Sequence, residues 1–86
     1  MLRPYLKNGT PKGRGFHVLH PRTKERLGWV CKREGVNMWQ ICTPVPEGVS
    51  LEDASPTLFP QSDPGGYPRP MDAGYALMEL LGIEED

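Results

Sequence analysis

Apolar and polar residues alternate over three short segments in the first half of the chain: FHVLH at 16–20, RLGWVCKR at 26–33 and MWQICT at 38–43. Alternation of this kind, rich in aromatic and β-branched residues, is typical of β-strands. Turn-like sequences separate the segments, PRTKE at 21–25 and EGVN at 34–37. The pattern predicts a three-stranded antiparallel sheet built from two consecutive hairpins.

The register of these strands determines which side chains share a face, since a slip of one residue inverts a strand. A three-residue loop at 35–37 and a four-residue first turn would give one apolar face. That face would carry Phe16, Val18, Leu27, Trp29, Cys31, Trp39 and Ile41. The opposite face would be mixed and partly basic, with His17, Leu19, Arg26, Val30, Lys32, Met38 and Gln40. This division predicts a sheet covered on one face only, whereas other registers spread apolar groups over both faces.

A helical pattern follows near the end of the chain and predicts one helix over about 70–81. Pro70 suits the first helical turn, and Gly82 suits a left-handed residue just after the helix. The apolar stripe consists of Ala73, Ala76, Leu77, Leu80 and Leu81. Gly74 either weakens the helix by about 1 kcal/mol or lets it approach Trp29 or Trp39 closely.

The remaining segments lack a sustained apolar period. Residues 1–15 contain three Gly and two Pro and are predicted to be a flexible basic arm, and 84–86 an acidic tail. Residues 44–69 contain six of the ten prolines and form a long loop within a single α+β domain, 16–83. The apolar residues of this loop either fold back over the sheet or bind a protein partner; they are Leu58, Phe59 and Tyr67.

Charge is divided sharply along the chain, although the net charge is only −1. Residues 1–33 contain nine basic residues and one acidic residue, whereas 34–86 contain one basic and ten acidic residues. A basic half of this kind can bind a polyanion, or the two halves can neutralise each other within one fold. The candidate nucleic-acid-binding residues are Lys12, Arg14, Arg22, Lys24, Arg26, Lys32 and Arg33.

The sequence carries no recognisable catalytic, metal or cofactor motif. His17 and His20 are three apart, so on a strand they would point to opposite faces, and no CxxC or HxxxH pair is present. Cys31 and Cys42 are too few for a disulfide framework, and we expect them to be free thiols in a cytoplasmic protein. No apolar run approaches the length of a membrane span, so we expect no membrane association.

The order of elements resembles the AP2-type and integrase arm-binding domains, in which three antiparallel strands are followed by one helix. The similar motifs are Gly28-Trp29-Val30, Trp39, and a helix with Ala73, Ala76 and Leu77, covering roughly 16–43 and 70–82. Small bacteriophage proteins of unassigned role have the same order of elements. The resemblance implies a sheet that lies on DNA, with Arg26, Lys32 and Arg33 on its basic surface.

Two functional hypotheses follow for a non-enzymatic module. The first is nucleic-acid binding through a basic sheet face and the N-terminal arm. The second is a protein-interaction module, such as a phage-encoded modulator of a host protein, that uses the proline-rich loop or the acidic half.

Overall fold

The computed structural model describes residues 2–10, 14–32, 35, 37–46, 48–51, 53 and 57–83. Its elements are β1 Tyr5–Asn8, β2 Gly15–Leu19, β3 Arg26–Lys32, β4 Trp39–Cys42 and α1 Pro70–Leu80. The strands form one antiparallel sheet in the order β1-β2-β3-β4, so strands that follow one another in sequence are neighbours. The predicted α+β class and C-terminal helix are confirmed. Within the described residues, no helix has the length and apolar character needed to cross a membrane.

The prediction of three strands is wrong, because Tyr5–Asn8 adds a fourth strand inside the segment predicted to be a flexible arm. Leu6 lies opposite Val18 of β2 and packs against the buried core. A strand of four residues contains too few positions for an alternating pattern to be distinctive. Pairing with β2 and burial of Leu6 stabilise it instead, and both come from the tertiary structure.

The predicted register is wrong by one residue, for a reason visible in the first hairpin. Its four-residue loop at 21–24 is present, with the His20 amide donating to the Glu25 carbonyl oxygen at 2.9 Å. Leu19 then pairs with Arg26, but Val18 pairs with Gly28, so β3 has one extra residue at this point. Such a bulge reverses which side chains share a face beyond it.

Beyond the bulge, Val30 lies opposite Phe16 and Ile41, and Trp29 lies opposite His17 and Cys42. Trp29 and Cys31 are therefore on the face opposite to the one that carries Phe16, Val18, Trp39 and Ile41. The second hairpin contributes to this difference, because Lys32 pairs with Trp39 across a six-residue connection in place of the predicted three-residue loop.

Both faces of the sheet consequently carry a buried cluster. Val18, Val30 and Ile41 pack against Ala73 and Leu77 of α1, and this is the main core. On the other face Trp29 and Cys42 pack against Leu51, with Cys31 and Val45 beside them. The expectation of a sheet covered on one face is thus wrong. Val45 and Leu51 of the proline-rich segment cover part of the helix-free face, and Leu51 extends across it to Gly9 and Gly15.

Helix α1 approaches the sheet closely at Gly28 of β3, because glycine has no side chain there to separate them. A Cβ atom on Gly28 would lie 2.7 Å from the carbonyl oxygen of Cys42 and 3.0 Å from Cδ2 of Leu77. Gly74 of the helix faces Pro4 and Leu6, with a Cβ there 3.0 Å from Pro4 Cγ. The expected approach of Gly74 to a tryptophan is therefore wrong, because β1, which the sequence did not reveal, lies under that part of the helix.

The proline-rich segment also runs along the outer edge of β4. The Phe59 amide donates to the Ile41 carbonyl oxygen at 2.9 Å, and the Trp39 and Tyr67 backbones exchange hydrogen bonds of 2.7 and 2.8 Å. Phe59 and Tyr67 fold back and pack against the main core, whereas Leu58 is 41% exposed. The segment pairs with backbone groups that an edge strand would otherwise leave open.

Candidate functional site

Three basic side chains converge on the helix-free face at its β1–β2 end. Lys7 lies directly opposite His17, and Arg26 lies opposite Leu19. Because Leu6 and Val18 point toward the helix, their sequence neighbours Lys7, His17 and Leu19 point away from it. The bulge in β3 keeps Arg26 on this same side, since it pairs with Leu19 before the extra residue.

The electrostatics of His17 reflect this arrangement. Burial lowers its pKa below the ordinary value of 6.5, and the positive charges of Arg26 and Lys7 lower it further. The imidazole is therefore mostly neutral at pH 7. In the part of the chain that the structure describes, Lys7 and Arg26 form no ion pair; the pair present is Arg69 with Asp72, at the start of α1. The two cations are thus available to an external anion.

An exposed aromatic ring lies next to these cations. Tyr5 lies opposite Leu19, on the helix-free face, and is 49% exposed. The Lys24 ammonium group lies 4.4 Å from the centroid of its ring, which is cation–π distance. Lys24 also donates from Nζ to the Pro21 carbonyl oxygen at 3.1 Å. We call the surface formed by Tyr5, Lys7, His17, Lys24 and Arg26 the basic face.

The loop that presents Lys24 is held by His20. Its Nδ1 atom accepts hydrogen bonds from the backbone amides of Arg22 and Thr23, at 3.1 and 3.4 Å. Lys24 itself has a positive φ of 63°, which a tight four-residue loop requires. His20 thus has a structural role here. No group of three or more His, Cys, Asp or Glu side chains that could hold a metal ion occurs among the described residues.

The other candidate basic residues lie elsewhere. Arg14 and Lys32 are neighbours at the far end of β2 and β3, where the Lys32 amide donates to the Arg14 carbonyl oxygen at 3.0 Å. Lys32 pairs with Trp39 and so belongs to the helix side of the sheet. The prediction that Arg26 and Lys32 share a face is therefore wrong, because the bulge lies between them. Arg22 is exposed in the hairpin loop.

Lys12 and Arg33 lie outside the described residues. His17, Leu19 and Arg26 lie on one face, as the alternation of apolar and polar residues predicts, whereas that pattern does not predict Tyr5 and Lys7 as part of the surface. The available signal was the tetrapeptide YLKN, in which an aromatic residue and a lysine flank one apolar position. The tetrapeptide lies within the predicted arm, 1–15, so the predicted sheet contains neither Tyr5 nor Lys7.

Comparison with known proteins gives no match from a protein-family model, a curated protein or a solved structure. Any functional assignment therefore rests on the geometry of the basic face.

Proposed function

We propose that this protein binds nucleic acid through the basic face. The observation that supports it most strongly is the placement of Lys7 and Arg26 on either side of His17, beside an exposed Tyr5 contacted by Lys24. Phosphates supply most of the affinity of proteins for nucleic acid and are bound by Lys and Arg. Exposed aromatic rings next to such cations stack on unpaired bases.

The shape of the surface supports a polymer rather than a small anion. Lys7 and Arg26 lie on strands separated by β2, so their backbones are about 10 Å apart at the usual strand spacing. Lys24 extends the surface into the hairpin loop. Cations spread in this way along an open sheet suit successive phosphates of a backbone, whereas a single phosphate would require donors that converge on one point.

The proposal also agrees with the arrangement that the resemblance to AP2-type and integrase arm-binding domains implies. In those families the sheet lies on DNA and the helix supports it from behind. Here the basic face and α1 are on opposite sides of the sheet. Leu51 and Val45 cover this side of the sheet around Trp29 and Cys42, and Leu51 extends to Gly9 and Gly15. The contact surface therefore comprises β1, the end of β2 and the start of β3.

The test is fluorescence anisotropy with labelled random duplex and single-stranded DNA at about 50 and about 200 mM salt. Three permanent cations, Lys7, Lys24 and Arg26, predict a slope of log affinity against log salt of about −2.7 on duplex. Affinity should therefore fall about 40-fold between the two salt concentrations. Absence of binding to either DNA at the lower concentration would contradict the proposal.

Two double variants that remove the same charge distinguish DNA binding by the basic face from general electrostatic attraction between the protein and DNA. Lys7→Gln/Arg26→Gln should reduce the magnitude of the slope by about 1.8. Arg14→Gln/Lys32→Gln removes the same charge from the other end of β2 and β3 and should leave the slope nearly unchanged. Equal loss of affinity in the two variants would show that binding does not use the basic face.

A protein-interaction role is the second candidate, and the exposure of Leu58 favours it. Phe59 and Tyr67 pack against the core, so of the three predicted contact residues Leu58 presents the exposed apolar side chain. The Leu58→Ser variant changes this surface without removing core packing. We expect it to bind DNA like the wild type if the first proposal holds, and to lose a protein partner if the second does.

A further inference from the structure

Cys31 and Cys42 bring their sulfur atoms together in the second core, on the side of the sheet opposite the helix. Cys31 lies opposite Gln40 and Cys42 lies opposite Trp29, so the two cysteines are diagonal neighbours on adjacent strands. Their Sγ atoms are 3.6 Å apart, and both are free thiols. Cys42 is completely buried, whereas Cys31 is partly exposed.

The two thiols have different chemical roles because a hydrogen bond links them. The hydrogen bond between the two sulfurs lowers the pKa of Cys31, and burial of Cys31 opposes this effect. The same hydrogen bond, together with burial, raises the pKa of Cys42. Cys31, the less buried of the two residues, is therefore also the one whose thiol ionises more easily, and the thiolate is the nucleophilic form.

We propose that Cys31 and Cys42 form a reversible dithiol site whose substrate is a low-molecular-weight disulfide such as oxidised glutathione. Cys31 is the attacking thiolate and Cys42 the resolving thiol. This site is separate from the basic face, and its function does not depend on nucleic-acid binding.

The reaction proceeds by two thiol–disulfide exchanges. The Cys31 thiolate attacks one sulfur of glutathione disulfide, the S–S bond breaks, and one glutathione thiolate leaves. Cys42 then loses its proton to the departing thiolate or to water and attacks the Cys31 sulfur. The mixed disulfide breaks and releases the second glutathione. Two protein thiols are thereby oxidised to one disulfide, and one glutathione disulfide is reduced to two glutathione thiols.

Closure requires a movement of β3 relative to β4, because diagonal neighbours on paired strands lie about 7–8 Å apart and a disulfide needs a Cα separation below about 7 Å. The sulfurs must approach from 3.6 Å to a disulfide bond of about 2.05 Å, between two strands that are already paired. Trp29, Leu51 and Val45 pack in the same cluster, so closure changes the surroundings of an indole ring. Oxidation should therefore alter the fluorescence of Trp29. In the Trp29→Phe variant this change should be absent, and the remaining fluorescence, which comes from Trp39, should not respond to oxidation.

The experiment treats the folded 86-residue chain with oxidised glutathione and follows the products by mass spectrometry. Wild-type protein should lose two hydrogens, without stable glutathione addition, and should regain them with reduced glutathione. Cys42→Ser should accumulate a mixed disulfide at Cys31, because the resolving thiol is missing. Cys31→Ser should react at least about tenfold more slowly than the wild type, since the remaining thiol is buried.

Circular dichroism of each variant establishes that it is folded, and Cys42→Ala replaces Cys42→Ser if the buried hydroxyl unfolds the chain. The proposal is overturned if wild-type protein stops at a mixed disulfide or keeps both thiols in excess oxidised glutathione. It is equally overturned if folded Cys31→Ser reacts as fast as the wild type. Neither result would bear on DNA binding, which is measured with the thiols reduced.

Discussion

Replacing Gly28 with alanine adds one methyl group where β3, β4 and α1 meet. The new Cβ would lie 2.7 Å from the Cys42 carbonyl oxygen, well inside van der Waals contact, and 3.0 Å from Leu77 Cδ2. The first of these atoms belongs to the backbone of a paired strand and cannot rotate away. Either β4 or the helix must move, and both are part of the main core.

The magnitude follows from two opposing contributions. Overpacking a core by one methyl group costs about 1–3 kcal/mol. Alanine restricts the unfolded chain more than glycine, which offsets about 0.4–1 kcal/mol. With central values of about 2 kcal/mol for the cost and about 0.7 kcal/mol for the offset, the Gly28→Ala variant should be about 1.3 kcal/mol less stable than the wild type. For a domain of this size that corresponds to a decrease in Tm of about 5–10 °C.

Urea unfolding followed by circular dichroism measures the effect, and an unchanged m-value would show that the unfolding transition itself is unaltered. Gly65→Ala is the matched control. Its new Cβ would lie 3.2 Å from Oδ1 of Asp63, an exposed side chain that accepts a hydrogen bond from the Gly65 amide. Because this contact is on the surface, Gly65→Ala should stay within about 0.5 kcal/mol of the wild type. If Gly28→Ala were as stable as Gly65→Ala, the close approach of helix and strand at Gly28 would be refuted.

Five other outcomes follow from the structure. The lowered pKa of His17 means that the unfolded chain binds more protons just below pH 6.5, so the stability of the free protein should fall as pH decreases through that value. A bound phosphate would raise this pKa, so DNA affinity should increase from about pH 7.5 to about pH 5.5, and His17→Gln should abolish the increase. Tyr5→Ala should weaken single-stranded DNA binding by about 1–3 kcal/mol with little change in Tm. An unchanged affinity would show that Tyr5 does not stack on a base. His20→Ala should lower the free energy of unfolding by about 1 kcal/mol through loss of the loop hydrogen bonds, measured by urea titration. Phe59→Ser should destabilise by about 2 kcal/mol or more, whereas Leu58→Ser should not; equal effects would mean that Leu58 is also core.

The sequence by itself determined the elements that carry a strong local signal. The helix begins at Pro70 as predicted, because its apolar stripe and first-turn proline are properties of one segment. The strands β2, β3 and β4 and the four-residue first hairpin loop were equally evident from alternation and turn residues. The α+β class, the antiparallel sheet and the grouping of His17 with Arg26 followed from these elements.

Only the tertiary structure decided the fourth strand, the face of β3 and the composition of the basic face. Tyr5–Asn8 becomes a strand because β2 offers it a partner and the core buries Leu6, and neither fact is local. One extra residue at the bulge moved Trp29 and Cys31 to the helix-free side, where Cys31 meets Cys42. Register has a period of two, so a single unpaired residue reverses the assignment of every side chain beyond it.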